Sequence, residues 1–261
     1  METSLQGRVA LIGGATQGIG RAIAVELASL GASIVLLARD AERAAQVLDG
    51  LPGGADREHS MLCVDMSRTA DLQRALDGST FRHKVDILVN NTGGPAPGPA
   101  HEAGVDRFEA AFRLHLLSFQ TLVQAVVPGM KERRHGRIVN IISTSVKQPL
   151  HNLGVSNTVR GAVANWSKTL ANELGPFGIT VNNVLPGATA TERLAAIIRN
   201  RAVSTGRSEE EVTEEMRAEV PLRRFADAAE IAYAVAFLSG PSGGYINGVN
   251  LPVDGGRTAC L

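Results

Sequence analysis

The sequence predicts an α/β fold: a doubly wound, parallel, seven-stranded sheet with helices on both faces, in a single domain. Short apolar runs alternate with longer amphipathic segments along the chain. The apolar runs show no alternation of polar and apolar residues, which is typical of parallel strands buried on both faces. A glycine-rich turn joins the first run to the first helical segment, as in sheets that bind nucleotides at the carboxyl ends of their strands.

Each predicted strand is a short apolar run bounded by polar or turn-forming residues. In chain order, the predicted strands are Arg8–Gly13, Ser33–Ala38, Ser60–Asp65, Val85–Asn90, Gly136–Ser143, Ile179–Pro186 and Val249–Val253. Between them, apolar residues recur at helical spacing. The predicted helices are Gly18–Leu30, Ala41–Leu51, Thr69–Leu76, Val105–Val127 and beyond, Val155–Leu174 and Asp227–Leu238.

One domain is expected to span residues 1–261, because no linker or composition shift divides the chain. The main departure from alternation is a charged segment at about residues 187–220, which contains the run RSEEEVTEEMRAE. We predict that it forms a helical flap on the substrate side. The alternative is a solvated surface helix.

Composition narrows the possible partners. The 26 Lys and Arg residues balance the 26 Asp and Glu residues, so no net field favours nucleic acid or an anionic membrane. The two cysteines do not suggest a disulfide framework, and Cys63 is expected to be a small buried apolar residue. With no signal peptide or transmembrane segment expected, we predict a cytoplasmic protein. We predict no metal site.

The turn GGATQGIG, Gly13–Gly20, is the strongest local signal for a ligand. Glycines at positions 14, 18 and 20 allow a tight turn and a close approach of the backbone to a pyrophosphate. The helix that follows offers unpaired N–H groups and a positive dipole end. The turn therefore predicts a dinucleotide site, and the alternative is a purely structural turn.

The spacing G-x-x-x-G-x-G resembles that of the short-chain dehydrogenase/reductase family. Three later segments agree with that family in order: NNTG at Asn90–Gly93, LPGATAT at Leu185–Thr191 and YINGVNLPVDGG at Tyr245–Gly256. The nearest subgroup is similar to the 3-oxoacyl-acyl-carrier-protein reductases. The resemblance implies a Rossmann-like fold, nicotinamide-dependent oxidoreductase activity on a small carbonyl or alcohol substrate, and a homo-oligomer, either tetramer or dimer.

The second strand ends in LLARD, with Ala38 where NAD-dependent relatives usually place an acid, followed by Arg39. An arginine there can pair with a 2′-phosphate, so NADP(H) is favoured and NAD(H) remains possible. The resemblance implies a wider set of cofactor-binding residues. They are Gly14, Gln17, Gly18, Ile19, Gly20, Arg39, Asp65, Met66, Asn90, Asn91, Gly93, Pro186, Gly187, Thr189 and Thr191.

The catalytic positions depart from the family pattern of Ser, Tyr, Lys and Asn. Aligned on GRIVNIIS and LANEL, these positions fall on Ser143, Ser156, Arg160 and His115. No tyrosine precedes Tyr233, so no shift of register restores the phenol.

A serine hydroxyl is far less acidic than a phenol, whose pKa is about 10, and an arginine stays protonated. His115 is expected to titrate near neutral pH and is one candidate for the proton donor. The alternative for His115 is a helix histidine bonded to backbone or water. Lys147 and His151, on the segment before the Ser156 helix, are further candidates.

Three functions remain open at this point. The first is hydride transfer between NADP(H) and a carbonyl or alcohol substrate with an atypical proton donor. The second is a nucleotide-binding pseudoenzyme, or a regulatory subunit of the same fold with little or no turnover. A lyase or isomerase without net redox chemistry is favoured less, because the cofactor scaffold is complete.

Overall fold

The computed structural model of the protein describes residues 2–53 and 58–260. Its strands form one seven-stranded parallel sheet in the order β3-β2-β1-β4-β5-β6-β7, which confirms the predicted fold class. The chain crosses from β3 back to β4, so the order reverses beside β1 and creates the crevice in which such sheets bind ligands. The strands are β1 Val9–Gly13, β2 Ser33–Ala38, β3 Ser60–Cys63, β4 Ile87–Asn90, β5 Gly136–Ile141, β6 Ile179–Pro186 and β7 Asn250–Val253.

Helices cover both faces of the sheet and give it two separate apolar cores. One core packs side chains of α1, α2 and α9 against the sheet, and the other packs those of α3, α5 and α6. The helices are α1 Gly18–Ser29, α2 Ala41–Asp49, α3 Thr69–Asp77, α4 Val105–Phe112, α5 Ser118–Arg133, α6 Gly154–Leu174, α7 Glu192–Thr205, α8 Glu209–Ala218 and α9 Ala228–Ser239.

The edge strand β3 is more exposed than its sequence predicts. Cys63 was predicted to be buried, but it is exposed, and Cys260 is also exposed and free. The residues of β3 are partly or fully accessible because this strand pairs with β2 alone at the margin of the sheet. An apolar run at a sheet edge therefore need not be buried on both faces.

The predicted long helix is continuous but not uniform. α4 ends at Phe112, a π turn spans Arg113–Leu117, and α5 continues from Ser118. A π turn inserts an extra residue into a helix and occurs often at functional sites. Here it contains His115, the one residue of the turn that is buried.

The helical stretch Val105–Arg133 also passes a test for membrane spans based on length and composition, with a mean hydropathy of 1.3 over its most apolar window. Half of that window is buried inside the protein, and α5 contributes Phe119 and Leu122 to the apolar core. A core helix of this kind passes the same test, and the expectation of no transmembrane segment stays a prediction.

A ladder of asparagines crosses four neighbouring strands. Asn90 Nδ2 donates to Asn140 Oδ1 at 2.7 Å, Asn140 Nδ2 donates to Asn183 Oδ1 at 2.9 Å, and Asn183 Nδ2 donates to Asn250 Oδ1 at 2.8 Å. These residues are register partners in β4, β5, β6 and β7. The ladder fixes the relative register of the strands whose carboxyl ends carry the candidate site.

The charged segment after β6 folds as α7 and α8. These helices enclose a small apolar cluster of Leu194, Ile198, Ala202 and Val212, and a capping box from Ser208 and Glu211 starts α8. The two helices therefore pack against each other after the carboxyl end of β6, and a role as a substrate-side flap stays a prediction.

Candidate active site

The glycine-rich corner between β1 and α1 has a backbone shape that requires glycine. Gly14 and Gly18 have φ of 57° and 52°, in the left-handed region that side chains disfavour. A Cβ on Gly20 would lie 2.2 Å from the carbonyl oxygen of Gly14. The corner is thus closed to side chains and open to a ligand that approaches the backbone, so its residues fit a dinucleotide.

The start of α1 leaves its first turn for such a ligand. Gln17 occupies the N-cap position and makes no side-chain capping bond to any residue that the structure describes, and no acidic residue lies in the first turn, which includes Ile19. An uncapped helix N-terminus is a ready anion site. Asn91 holds the corner from the next strand, since its Nδ2 donates to the carbonyl oxygens of Gly13 and Gly14 at 3.0 and 3.3 Å.

The segment after β6 borders the same corner. The methyl group of Thr191 would lie 3.3 Å from a Cβ on Gly18, and Thr191 caps the start of α7 through Leu194. Thr189 is buried and donates to the carbonyl oxygen of Gly187 at 3.1 Å. Gly187 follows Pro186, and its backbone N–H donates to the carbonyl oxygen of Val253. A side chain on Gly187 would clash with Asp254. The predicted segment therefore faces the glycine corner.

Arg39 directly follows the carboxyl end of β2, and its side chain is exposed. The neighbouring Asp40 is engaged, because its side chain accepts from the Arg43 N–H at 3.0 Å to cap α2. The acid that complicates the cofactor preference thus has a local structural role. The contact of Arg39 with a 2′-phosphate stays a prediction.

Asp65 and Met66 follow β3 and differ in what they can offer. Burial alone would raise the pKa of Asp65, but hydrogen bonds from Ser67 and the charges of Arg39 and Arg68 hold it below its ordinary value. Met66 is buried, and its sulfur would lie 3.4 Å from a Cβ on Gly13. The Met66 side chain therefore lies against the corner at Gly13.

Asn90 and Gly93 mark the two sides of the segment after β4. The Asn90 side chain points into the asparagine ladder, and its Oδ1 has no partner within the described residues. Gly93 has open space where a Cβ would be. Cofactor contacts by these residues stay predictions.

The catalytic positions gather at the carboxyl ends of β4 and β5. Ser143 is half-buried and its Oγ accepts from the Ser145 N–H at 3.1 Å. Ser156, half-buried in the first turn of α6, makes no hydrogen bond within the described part of the chain through its hydroxyl. Both hydroxyls can therefore turn towards a ligand.

Arg160, on α6, is a buried charged side chain. Its Nη1 donates to the carbonyl oxygen of Ile141 at 2.9 Å, whereas its Nε has no partner among the described residues. Burial, together with the charge of Arg193, lowers the pKa of Arg160 to about 10. The guanidinium remains charged at neutral pH and carries unused donors.

His115 is fully buried, and the expectation that it titrates near neutral pH is wrong. Its Nδ1 lies 2.6 Å from Thr92 Oγ1, and its Nε2 has no partner in the described chain. Burial first, and then the charges of Arg160 and Arg193, lower the pKa of His115 to about 2. The imidazole is neutral at physiological pH, so a protonated His115 does not supply the proton that the family's tyrosine would donate.

The other two candidate donors lie on the segment between β5 and α6. His151 is exposed, and the backbone carbonyl of Lys147 accepts a weak bond from the Cys260 thiol at 3.6 Å. Within the residues described, neither side chain bonds to Ser143 or Ser156. A part in proton transfer stays a prediction for both.

Two features of the site were not found from the sequence. Arg193, at the start of α7, donates to the carbonyl oxygens of Gly94 and Pro95 at 3.0 and 3.3 Å and ties this helix to the loop after β4. The second feature is a cavity of about 260 Å³ that is open to solvent and lies beside Thr144, the neighbour of Ser143. It is lined by Thr144, Gln148, Leu150, Glu219, Arg257 and Thr258. The sequence signal that could have indicated Arg193 is its position two residues after Thr191, a predicted cofactor-binding residue.

The chain is similar to known reductases along nearly its whole length. A family profile described as "Enoyl-(Acyl carrier protein) reductase" matches residues 14–258. The NADPH-dependent reductase BacG of Bacillus subtilis is 30% identical over 95% of this chain and 97% of its own. The 3-oxoacyl-[acyl-carrier-protein] reductase FabG of Vibrio cholerae is 34% identical over 97% and 98%. Among solved structures, the L-sorbose reductase of Gluconobacter frateurii, complexed with NADPH and L-sorbose, superposes with a TM-score of 0.92 at 29% identity, covering 100% of both chains.

Proposed function

Because the chain belongs to the short-chain dehydrogenase/reductase family, we propose that it transfers a hydride between NADP(H) and a carbonyl or alcohol substrate. The observation that carries this proposal is the corner at Gly14, Gly18 and Gly20, whose backbone admits no side chain and precedes an uncapped helix. The choice of cofactor is supported by one relative named as an NADPH-dependent reductase and by a similar structure that was solved with NADPH.

The nucleotide would lie along the carboxyl ends of β1, β2 and β4. The α1 N-terminus would hold the pyrophosphate through backbone N–H groups, and Arg39 would pair with the 2′-phosphate. Asn91 keeps the corner in shape, and Thr191 closes it from the flap side. Bound there, the cofactor supplies the hydride chemistry.

The chain's own residues would orient the substrate rather than supply a strong acid. Ser143 and Ser156 would place two hydroxyl groups near the expected carbonyl position, where they can donate to a developing oxyanion, and Arg160 would add a positive charge beside them. None of these groups matches the acidity of the family's phenol. We infer that the proton reaches the oxygen from water through the hydroxyl of Ser156, which has no other partner within the residues described.

Loss of a positioned acid typically costs about 10²–10⁴ in rate. Slow turnover is therefore expected. The second candidate, a nucleotide-binding protein with little or no turnover, is favoured by the same observation, the Ser156 and Arg160 pair in place of Tyr and Lys.

Two measurements separate these functions. The first is NADPH fluorescence titrated with protein, followed by NADPH oxidation with ketones, quinones and 3-oxoacyl thioesters. Binding with oxidation above background supports the reductase. Binding without oxidation supports the pseudoenzyme, and absence of binding contradicts both.

The second measurement tests whether the pocket is otherwise competent. The double variant Ser156→Tyr with Arg160→Lys restores the family's residue types, and we expect oxidation to rise by about 10²-fold or more. The matched control is Thr158→Tyr with Arg160→Lys, which places the phenol at an exposed position of the same helix. Equal rates for both double variants would contradict the assignment of Ser156 to the acid position.

We further propose that α7 and α8 act as a substrate-side flap and that the protein forms a dimer or tetramer through the α5 and α6 surface. Within the chain, however, Val163 is buried and Trp166 Nε1 donates to Gln120 Oε1 at 2.9 Å. These two side chains thus serve internal packing first. Sedimentation at several protein concentrations would test the assembly.

A further inference from the structure

Three nitrogen-bearing side chains, one each from the π turn, α6 and α7, lie near the carboxyl ends of two central strands of the sheet. His115 bonds to Thr92, and Arg193 bonds to Gly94 two residues further along the same loop. Arg160 bonds to Ile141 at the end of β5, which is paired with β4 immediately before that loop. The three anchor points therefore lie side by side at the carboxyl ends of two adjacent strands.

Within the described residues, no carboxylate balances the two guanidinium groups. Among the residues that the structure describes, neither Arg160 nor Arg193 takes part in an ion pair, although most other arginines of the flap segment do. Arg160 is only 6% exposed, and its Nε and the Nε2 of His115 are buried without a partner in the described part of the chain. A buried charge is costly unless an opposite charge accompanies it.

We propose that Arg160, Arg193 and His115 form an anion centre that binds a carboxylate group of the substrate. The inference rests on the proposed function and narrows its substrate to carboxylic acids that carry a reducible carbonyl group. A planar carboxylate suits the fork of a guanidinium, which can donate two parallel hydrogen bonds to it. The neutral His115 adds a donor at Nε2 when the Thr92 hydroxyl donates to Nδ1.

The cofactor's own phosphates do not account for this centre. The proposed pyrophosphate position is at the start of α1, beside β1, and the proposed 2′-phosphate position is at Arg39, beyond β2. Arg160 lies on the other side of β4, at β5. The counter-ion expected at Arg160 therefore comes from the substrate.

The test uses the full-length protein saturated with NADP⁺ and the probe oxamate, a small carboxylate that mimics a 2-oxo acid and is not reduced. Isothermal titration or ligand-detected NMR should show oxamate binding. The neutral analogue oxamide should bind at least tenfold more weakly, and inorganic phosphate should not bind more tightly than oxamate. No binding of oxamate to a protein that binds NADP⁺ overturns this inference while leaving the proposed function intact.

Arg193 is the residue to vary, because it lies at the surface and its loss does not leave a buried cavity. Arg193→Gln should weaken oxamate binding at least tenfold and change NADP⁺ affinity less than threefold, and Arg193→Lys should recover part of the loss. Arg199→Gln, an exposed position on the same helix, is the matched control and should leave both affinities unchanged. If Arg193→Gln weakens NADP⁺ and oxamate equally, Arg193 serves the nucleotide and the proposal is wrong.

Discussion

The imidazole Nδ1 of His115 lies 2.6 Å from the hydroxyl oxygen of Thr92, in an interior position that keeps the ring neutral. The π turn at Arg113–Leu117 carries this histidine into the interior. A histidine at this place is therefore part of a buried hydrogen-bonded site and not a titrating acid at neutral pH. The chemistry expected of the site depends on this distinction.

The neutral state of His115 predicts a pH dependence of stability. Its pKa is about 2 in the folded protein and near 6.5 when exposed, so the unfolded chain binds more protons below pH 6.5. The free energy of unfolding should therefore fall as pH falls from about 6.5, by up to about 1.4 kcal/mol per pH unit for this group. His135, with a pKa lowered to about 4 mainly by burial, adds a similar loss down to about that pH.

Urea unfolding of the protein and of His115→Asn between pH 7 and 4.5 measures this effect. The variant should show a shallower decline, whatever its stability at pH 7. His151→Asn, at an exposed position, should follow the wild-type slope. Identical slopes for His115→Asn and the wild type would mean that His115 is accessible to protons.

The glycine corner gives a steric prediction. In Gly20→Ala the added methyl group would lie 2.2 Å from the Gly14 carbonyl oxygen, so the corner must deform. We expect NADPH affinity to fall at least about tenfold and stability to fall by about 1–3 kcal/mol, as for other overpacked sites. Gly78→Ala is the control, because its methyl group would meet only ordinary contacts of 3.6 Å or more and its φ is −78°. Fluorescence titration with NADPH measures the difference, and equal affinities would contradict the assignment of the corner.

Arg39 should decide between the two nicotinamide nucleotides. Removing a charge-assisted bond to the 2′-phosphate costs about 1.5–3 kcal/mol, so Arg39→Gln should bind NADPH about 10–100-fold more weakly. NADH lacks that phosphate, and its affinity for the variant should be unchanged. A parallel loss for both nucleotides would show that Arg39 acts on the fold of the site instead.

The asparagine ladder should contribute strongly to stability at its centre. Asn140 bonds to Asn90, Asn183 and Ser167, and Asn140→Ala would leave the buried amide groups of Asn90 and Asn183 without these partners, whereas Ser167 keeps its own bond to a backbone carbonyl oxygen. At about 1–3 kcal/mol for each group, the variant should lose about 3 kcal/mol or more. Asn250→Ala removes a single bond at the half-buried end of the ladder and should lose about 1 kcal/mol. Similar losses in thermal unfolding would contradict a cooperative ladder.

Sequence patterns were sufficient for the fold because burial on both faces leaves strands with few polar residues. The seven strands and the glycine corner lie where the pattern predicts them, within a few residues at their ends. The exposure of Cys63 could not be predicted, because an apolar run does not reveal whether its strand is central or at an edge. The asparagine pairs were equally hidden, since each residue looks like an isolated polar interruption until the strand register is known.

Prediction of the site was weaker for a related reason. The sequence placed Ser143, Ser156, Arg160 and His115 in one region, but it could not indicate that Arg160 and His115 are buried with unused donors. That property depends on the π turn and on the contact of Arg193 with Gly94, which brings a second charge across from α7. Such long-range contacts leave no local pattern.

The proposed function requires that the Gly14–Gly20 corner and Arg39 form a site for NADP(H). Isothermal titration of the protein with NADPH and NADH, at the same pH and ionic strength, tests it most directly. We predict that one nucleotide binds per chain, with NADPH bound at least about tenfold more tightly than NADH. No heat with either nucleotide, or tighter binding of NADH, would contradict it.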